Sequence, residues 1–434
     1  MSRFFEKIKS IVEMKREEFN LFLQQYKNIN IGEIKISQII NGMRGLMVLF
    51  TDLSSVDPEK GIIWRGYTVD EVLQKLPKPS LSKMPYVEAQ FYLLITGDIP
   101  SETEVREIID IFNEKRKLPD YVYTILKTMP KETDPNIMLS VAINSMQHES
   151  IFTKAYQKGK VTKYNAWEYM LEDVLNLLPK ISIISAFIYR LKYKNNMFIK
   201  EDDSLDLGGN FAYMMGINRP YDEFLRLYMI LLSDHENGNV SAHTTHLVAS
   251  ALADAYCSIS AGINGLSGPL HGGAIKESFN WFMNLYQQKK NQLTKEILEQ
   301  ICVDMLNKGL VIPGYGHAVL RNKDPRFLAQ MKFGEEYLKD DELFQIACFA
   351  FDTIPYILKK HTKINNPWPN VDNISGIIHS HYGMDKDFFT VLFSNSIAIG
   401  SLANIFWDRA LNLPIERPKS VTISQLLELV KTHI

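Results

Sequence analysis

The sequence predicts an almost all-α protein in which a smaller helical domain is inserted into a larger one. Three observations lead there. Apolar residues recur at helical spacing through most of the 434 residues, the pattern of helices with one buried face. Runs with β character are confined to residues 30–64, around Gly42, Gly45 and Gly61. No low-complexity linker separates two halves of the chain, so a second domain must leave the first and return to it. Length alone suggests two or three domains.

Taken in order, residues 3–26 carry Phe4, Ile8, Ile11, Val12, Phe19 and Phe22 at helical spacing and predict a long amphipathic helix. Ile34 with Ile36, residues 46–49 and residues 62–64 read as short strands of one small sheet. Helices follow. Residues 85–95 end at Gly97, and Ser101 with Glu104 forms a capping-box signature for the next helix. Asp134-Pro135 opens another, with Asp as N-cap and Pro in the first turn. Residues 167–193, 211–232 and 242–263 predict three long helices, and 294–308, 324–338 and 341–361 three more. The last three fall between Gly273 and Gly376. That places the large domain at residues 1–272 and 377–434 and the small domain at 273–376. Ligand sites favour the cleft between such parts.

Composition narrows the function. The chain is 46% hydrophobic and 23% charged, with 48 basic and 50 acidic residues and a net charge of -2. This balance gives no support to a nucleic-acid or membrane-surface role. Cys257, Cys302 and Cys348 lie far apart in apolar helical patterns without a Cys-x-x-Cys pair, as expected of reduced thiols. Residues 255–274 and 388–407 lack Asp, Glu, Lys and Arg but are diluted by Ser, Asn and Gly. Buried helices of a large protein account for them better than membrane spans. Glu6, Glu13, Glu17 and Glu18 argue against a transit peptide, and no apolar signal core follows Met1. The expected compartment is the cytoplasm, with the mitochondrial matrix as the alternative if a presequence was removed.

Three loops carry proton-handling residues: residues 268–273 with His271, 311–317 with His317, and 368–372 with Asp372. Glycine and proline break the helical pattern at each one and let a ligand approach the backbone. Asp372 alone could equally cap a helix starting near Ser375. Together, a carboxylate base and two imidazoles suit proton abstraction from a carbon next to a carbonyl. His243 and His246 share a helical face, yet no third metal ligand stands at a diagnostic spacing. They read as hydrogen-bonded histidines, and no metal is expected. His379 and His381 stay open between site and scaffold. Arg321, Arg326 and Arg417 are candidates for gripping anions through their planar forks.

Gly-Pro-Leu-His-Gly at 268–272, Pro-Gly-Tyr-Gly-His-Ala-Val-Leu-Arg at 313–321 and Pro-Asn-Val-Asp at 369–372 resemble, in order and spacing, the citrate synthase family. The eukaryote-type branch is the nearest match. Residues 233–244 and Glu416-Arg417-Pro418-Lys419-Ser420 agree with it as well. The resemblance covers nearly everything from about residue 30 onward. It implies the citrate synthase fold, a homodimer, and condensation of acetyl-CoA with oxaloacetate followed by hydrolysis to citrate and CoA. It implies no cofactor, since the CoA thioester is a substrate. Position by position, Asp372 resembles the base, His271 the donor to the enol oxygen, and His317 the group that polarises the ketone. His235 and Arg326 resemble substrate ligands, and Arg417 an arginine lent to the neighbouring subunit's site. CoA contacts are implied at Arg44, Val311, Gly314, Ala318, Arg321 and Lys363.

One departure stands out. The family carries Ser-Arg-Ala-Leu-Gly where this chain has Ser396-Ile397-Ala398-Ile399-Gly400, and Arg417 follows Ile397 by twenty residues without a gap. The missing arginine binds an oxaloacetate carboxylate in the family. A lost charged hydrogen bond costs roughly 1.5–3 kcal/mol, so about 10- to 1000-fold in affinity or rate is at stake if the pair is bidentate. Either another group replaces the arginine, or the pocket takes a 2-oxo acid with an apolar arm. A third reading is a scaffold or filament protein on the same fold, against which the retained His271, His317 and Asp372 speak. Ile275, where the family commonly has Asn, is a lesser departure.

Overall fold

Twenty α-helices and one three-stranded sheet make up the computed structural model, which describes residues 3–289, 292–360 and 364–433. The sheet is antiparallel in the order β1 (Ser54–Asp57), β2 (Gly61–Trp64), β3 (Tyr67–Thr68), with Ser54 opposite Trp64. Only the 62–64 run was a strand as expected. Ile36–Ile40 is a short helix, and residues 46–50 form neither helix nor strand. Gly42 and Gly45 have φ of 72° and 74°, which breaks extension between the two apolar runs. Neither run has a strand beside it to pair with, and a lone strand is not stable.

The expected first helix is present as Arg3–Tyr26, burying Phe4, Ile8 and Val12. Ser101 and Glu104 form the predicted capping box, and Asp134 caps Pro135–Ser145. Two long predicted helices are each broken in two. Leu207–Met215 stops at Gly216, which adopts φ 75°, and Tyr221–Leu231 starts after Pro220. Val240–Ser250 stops before Leu252 (φ 63°), and Asp254 caps Ala255–Leu266. Apolar periodicity ran through both breaks because the flanking helices bury the same kind of face.

The centre of the molecule is helix Phe389–Ala410, buried along nearly its whole length. It packs on Ala166–Tyr193, Tyr221–Leu231, Val240–Ser250 and Ala255–Leu266. Its span and Ala166–Tyr193 are long and apolar enough to cross a membrane, but 89% of each window is buried, so both are core helices. Helices Ala274–Lys289, Lys295–Asn307, Pro325–Tyr337, Glu342–Lys359 and Asp372–His381 pack largely on one another. Cys302 is buried, Cys257 and Cys348 are half-buried, and all three are free.

Where the central helix meets the 233–241 loop, a glycine decides the fit. The Gly400 N–H donates to Ser233 O at 2.8 Å, and a Cβ at 400 would strike Ser233 O and Asp234 Cβ. Overpacking of this kind costs about 1–3 kcal/mol. Gly400→Ala is therefore expected to lower stability in chemical denaturation by that amount, and to raise the KM of any ligand held by His235. A variant as stable as the parent would show that the loop can retreat.

Candidate active site

The loop carrying His235 is held from below. Buried Asp234 accepts from Ser54 Oγ and from Asn404 Nδ2, and its carbonyl accepts from Trp64 Nε1 at 3.0 Å. Glu236 takes φ 45°, and its N–H donates to Ser54 Oγ at 2.7 Å. Asn239 Nδ2 reaches back to the His235 carbonyl at 3.2 Å, while its Oδ1 caps helix Val240–Ser250 through Ala242 N. The sheet, the central helix and a helix cap thus fix one histidine.

His317 and Asp372 sit on two loops clasped together. Gly316 N–H donates to Trp368 O and Asn370 N–H to Gly314 O, both at 2.9 Å, around an antiparallel bridge of Tyr315 with Pro369. Gly314 has φ 76°, and a Cβ there would come within 2.6 Å of Ser278 Oγ. Only glycine fits both demands. Asp372 is the first residue of helix Asp372–His381, not its cap: Asn370 Oδ1 accepts the Asp372 N–H at 3.1 Å. Its carboxylate is left free of helix duty.

An ion pair joins these parts. Arg326 donates through Nε and Nη2 to Asp324 at 3.1 and 2.9 Å, with both residues buried. The rings of His235 and His317 lie 5.8 Å apart. Burial and the nearby Arg326 lower the pKa of His235 to about 3 and that of His317 to about 4. Burial raises Asp372 to about 6, with Arg326 pulling the other way and Asp324 adding to the rise. All three groups therefore feel the same Arg326–Asp324 pair.

The imidazole tautomers follow from backbone donors. His317 Nδ1 accepts the N–H groups of Val319 and Leu320 at 3.1 and 3.0 Å, which leaves its proton on Nε2. His271 Nε2 accepts the Ser241 N–H at 3.3 Å and lies 2.9 Å from Ser241 Oγ, which leaves its proton on Nδ1. Burial lowers the His271 pKa. Ser241 is the second residue of the helix that the His235 loop leads into, and its Oγ lies 2.9 Å from Asn239 Oδ1, so His271 is tied to the end of that loop.

Not every expected residue joins them. Val311, Ala318 and Arg321 line a cavity of about 360 Å³ that His317 also lines, and Gly314 belongs to the same loop. Arg321 Nη1 donates to the Val319 and Leu320 carbonyls. Arg44 is exposed on a separate turn, Arg417 is exposed, and Lys363 lies outside the described residues. His379 is buried against Tyr221 at 2.9 Å, and His381 pairs with Asp341 at 2.7 Å, so both are scaffold. His243 and His246 both turn to Glu416. Ile397 is buried on the helix face that runs from Phe393, whose ring lies 6.0 Å from His271, to Gly400 on Asp234. It faces the gap between the His271 and His235 supports. Sequence reasoning missed Ser241, Asp324 and Asn370. The Asp-Pro-Arg run at 324–326 and the Asn-x-Asp run at 370–372 were the available signals.

A family model described as the citrate synthase C-terminal domain matches residues 42–419. The chain belongs to the citrate synthase family. It is an enzyme, an acyltransferase of the citrate synthase type. It is similar to the mitochondrial citrate synthase of Saccharomyces cerevisiae, at 42% identity over 98% of this chain and 89% of that one. The mitochondrial citrate synthase of Daucus carota is 41% identical over 96% of this chain and 89% of its own. The crystal structure of citrate synthase from Pyrobaculum aerophilum superposes with a TM-score of 0.77 at 27% identity, covering 91% of this chain and 95% of that one. These matches lend nothing to an altered oxo-acid pocket or to a scaffold without activity.

With Asp372 as the base, its raised pKa is expected to set the pH dependence. A base must be ionised to act, so kcat/KM is expected to fall about tenfold per pH unit below about 6 and to level above it. The two low-pKa histidines stay neutral throughout that range. In Asp372→Asn the activity should drop by about 10²- to 10⁴-fold. A rate that stays level down to about pH 3, with no carboxylate titration, would exclude Asp372 as the base.

Proposed function

We propose that this site condenses acetyl-CoA with oxaloacetate and hydrolyses the citryl thioester to citrate and CoA. Asp372 removes a methyl proton from the thioester. His271 donates its Nδ1 proton toward the thioester oxygen and steadies the enol. His317 donates its Nε2 proton to the ketone of oxaloacetate, making the carbonyl carbon the electrophile. Both imidazoles are neutral, so they stabilise developing charge without adding a full cation to the site. The enol carbon attacks the ketone carbon to form the new C–C bond, the enol proton returns to His271, the alkoxide keeps the proton from His317, and Asp372 passes its own proton back to His317. A water then attacks the thioester carbon, the C–S bond breaks, and CoA leaves as the thiol with a proton from that water. Every step uses acid–base groups of the chain itself, and the CoA thioester is substrate, not cofactor.

The observation that carries this reading is the buried Arg326–Asp324 pair with His235, His317 and Asp372 gathered around it. Arg326 keeps part of its guanidinium free for a substrate carboxylate, with His235 beside it. Ile397 supplies no charge, so the second carboxylate falls to Arg417 of the partner subunit, and the assembly is a homodimer. Its exposure on one chain suits that use. Arg321, Val311, Gly314 and Ala318 form the CoA cradle, with Arg44 and Lys363 as cations for its phosphates. Residues 273–376 close as a smaller domain onto residues 1–272 and 377–434, excluding water until hydrolysis. The compartment is the mitochondrial matrix in preference to the cytoplasm, because both relatives described above are mitochondrial proteins.

Thiol release from acetyl-CoA, measured against a panel of 2-oxo acids, is expected to be fastest with oxaloacetate; a faster monocarboxylic acid would reject the substrate. The shared site makes a second expectation. Arg417→Ala and Asp372→Asn chains are each nearly inactive alone. Refolded together, they should regain about a quarter of native activity, because half of random dimers are hybrids with one complete site. No regain would mean that Arg417 serves its own subunit or none.

A further inference from the structure

Outside the catalytic group, one cluster of titratable residues has no role yet. Helix Val240–Ser250 presents His243, His246 and Ser250 on one face. All three meet Glu416. His243 Nε2 lies 3.1 Å from Glu416 Oε2, His246 Nε2 lies 2.8 Å from Oε1, and Ser250 Oγ accepts the Glu416 N–H at 3.1 Å. His246 Nδ1 is 2.6 Å from Asp408 Oδ2 on the central helix, and the two carboxylates raise its pKa. Glu416 is half-buried here, while residues 417–420 are exposed. The stretch from Asn412 to Ser420 has neither helix nor strand, so this carboxylate is its anchor on the body of the subunit.

The residue after the anchor is Arg417. We propose that Glu416, gripped by His243, His246 and Ser250, is a positioning residue that fixes the reach of Arg417 toward the partner's oxo-acid site. This rests on the reading of Arg417 given above. The helix that grips Glu416 also carries Ser241 in its first turn, the residue holding His271. One rigid element of eleven residues therefore ties the enol-stabilising histidine of one site to the arginine lent to the other. With Ile397 uncharged, the site depends more heavily on that arginine being in place.

The test is a double-mutant cycle on the full-length dimer, read as KM for oxaloacetate against kcat and KM for acetyl-CoA. Glu416→Ala should raise the oxaloacetate KM about tenfold, the weight of one charge-assisted hydrogen bond. Glu416→Gln, which keeps the shape, should restore part of it. Arg417→Ala should raise the same constant, and Glu416→Ala/Arg417→Ala should be no worse than Arg417→Ala alone. A purely structural role would instead add its own penalty to the double variant and overturn the proposal. If Arg417→Ala raises KM and Glu416→Ala does not, the anchor is refuted while the arginine's role stands. If Arg417→Ala leaves KM unchanged, both fall. Should Glu416→Ala not assemble, His243→Gln reads the same constant from a half-exposed position; a KM equal to that of the parent there also refutes the anchor.

Discussion

The structure turns on a charge pair kept out of water. Arg326 and Asp324 are both buried and joined by two hydrogen bonds at 3.1 and 2.9 Å. Removing two charges from solvent is costly, and such a pair is weak evidence of stability. Breaking it by deleting one partner costs about 3–5 kcal/mol, because the survivor is left uncompensated. What the pair provides is a fixed field. Burial, with Arg326 adding to it, holds two histidines neutral, and burial leaves a carboxylate with a pKa of about 6 in the same small volume. An acid–base site needs groups whose environments separate their titrations. Here one ion pair and the burial around it accomplish that for three residues drawn from three loops.

Those loops are placed by ordinary packing. The His235 loop rests on the sheet and the central helix through Asp234. The other two grip each other through backbone hydrogen bonds around Gly314, Gly316 and Asn370. Small residues appear where backbones meet. Gly400 lets a helix touch the His235 loop, and Gly314 lets one loop pass under Asn373. The groups gathered at the ion pair are thus held by main-chain contacts more than by their own side chains.

Much of this was legible in the sequence. Helical periodicity, the capping box at Ser101 and the Asp134-Pro135 start describe local physics, and local physics was enough for those elements. The break at Leu252 was not legible, because apolar spacing continues across it; the one at Gly216 carried a stop signal in Gly216 and Pro220 that the apolar spacing on either side masked. The strands expected at 34–36 and 46–49 failed for want of a partner, which no local pattern reveals. At the site, His271, His317 and Asp372 were singled out from their Gly- and Pro-broken loops. Ser241, which contacts His271, and Asp324, which pairs with Arg326, were not. A serine in a helix's first turn and an aspartate before a proline have ordinary capping uses, and nothing local distinguishes those from a second duty. Arg44 and Arg417 were named by resemblance; a single chain leaves both at the surface.

The proton on His317 sits on Nε2 because two main-chain amides, those of Val319 and Leu320, occupy Nδ1. Every amino acid except proline offers such an amide. While the side chain of Leu320 is constrained only by the packing it fills, that of Val319 can therefore drift through generations of sequence change without disturbing the tautomer. Only a proline, or a shift in loop length, could unseat it. The backbone thus guards the tautomer: at half-buried Val319 mutational scanning has little besides proline to find, whereas at buried Leu320 it reads packing as well.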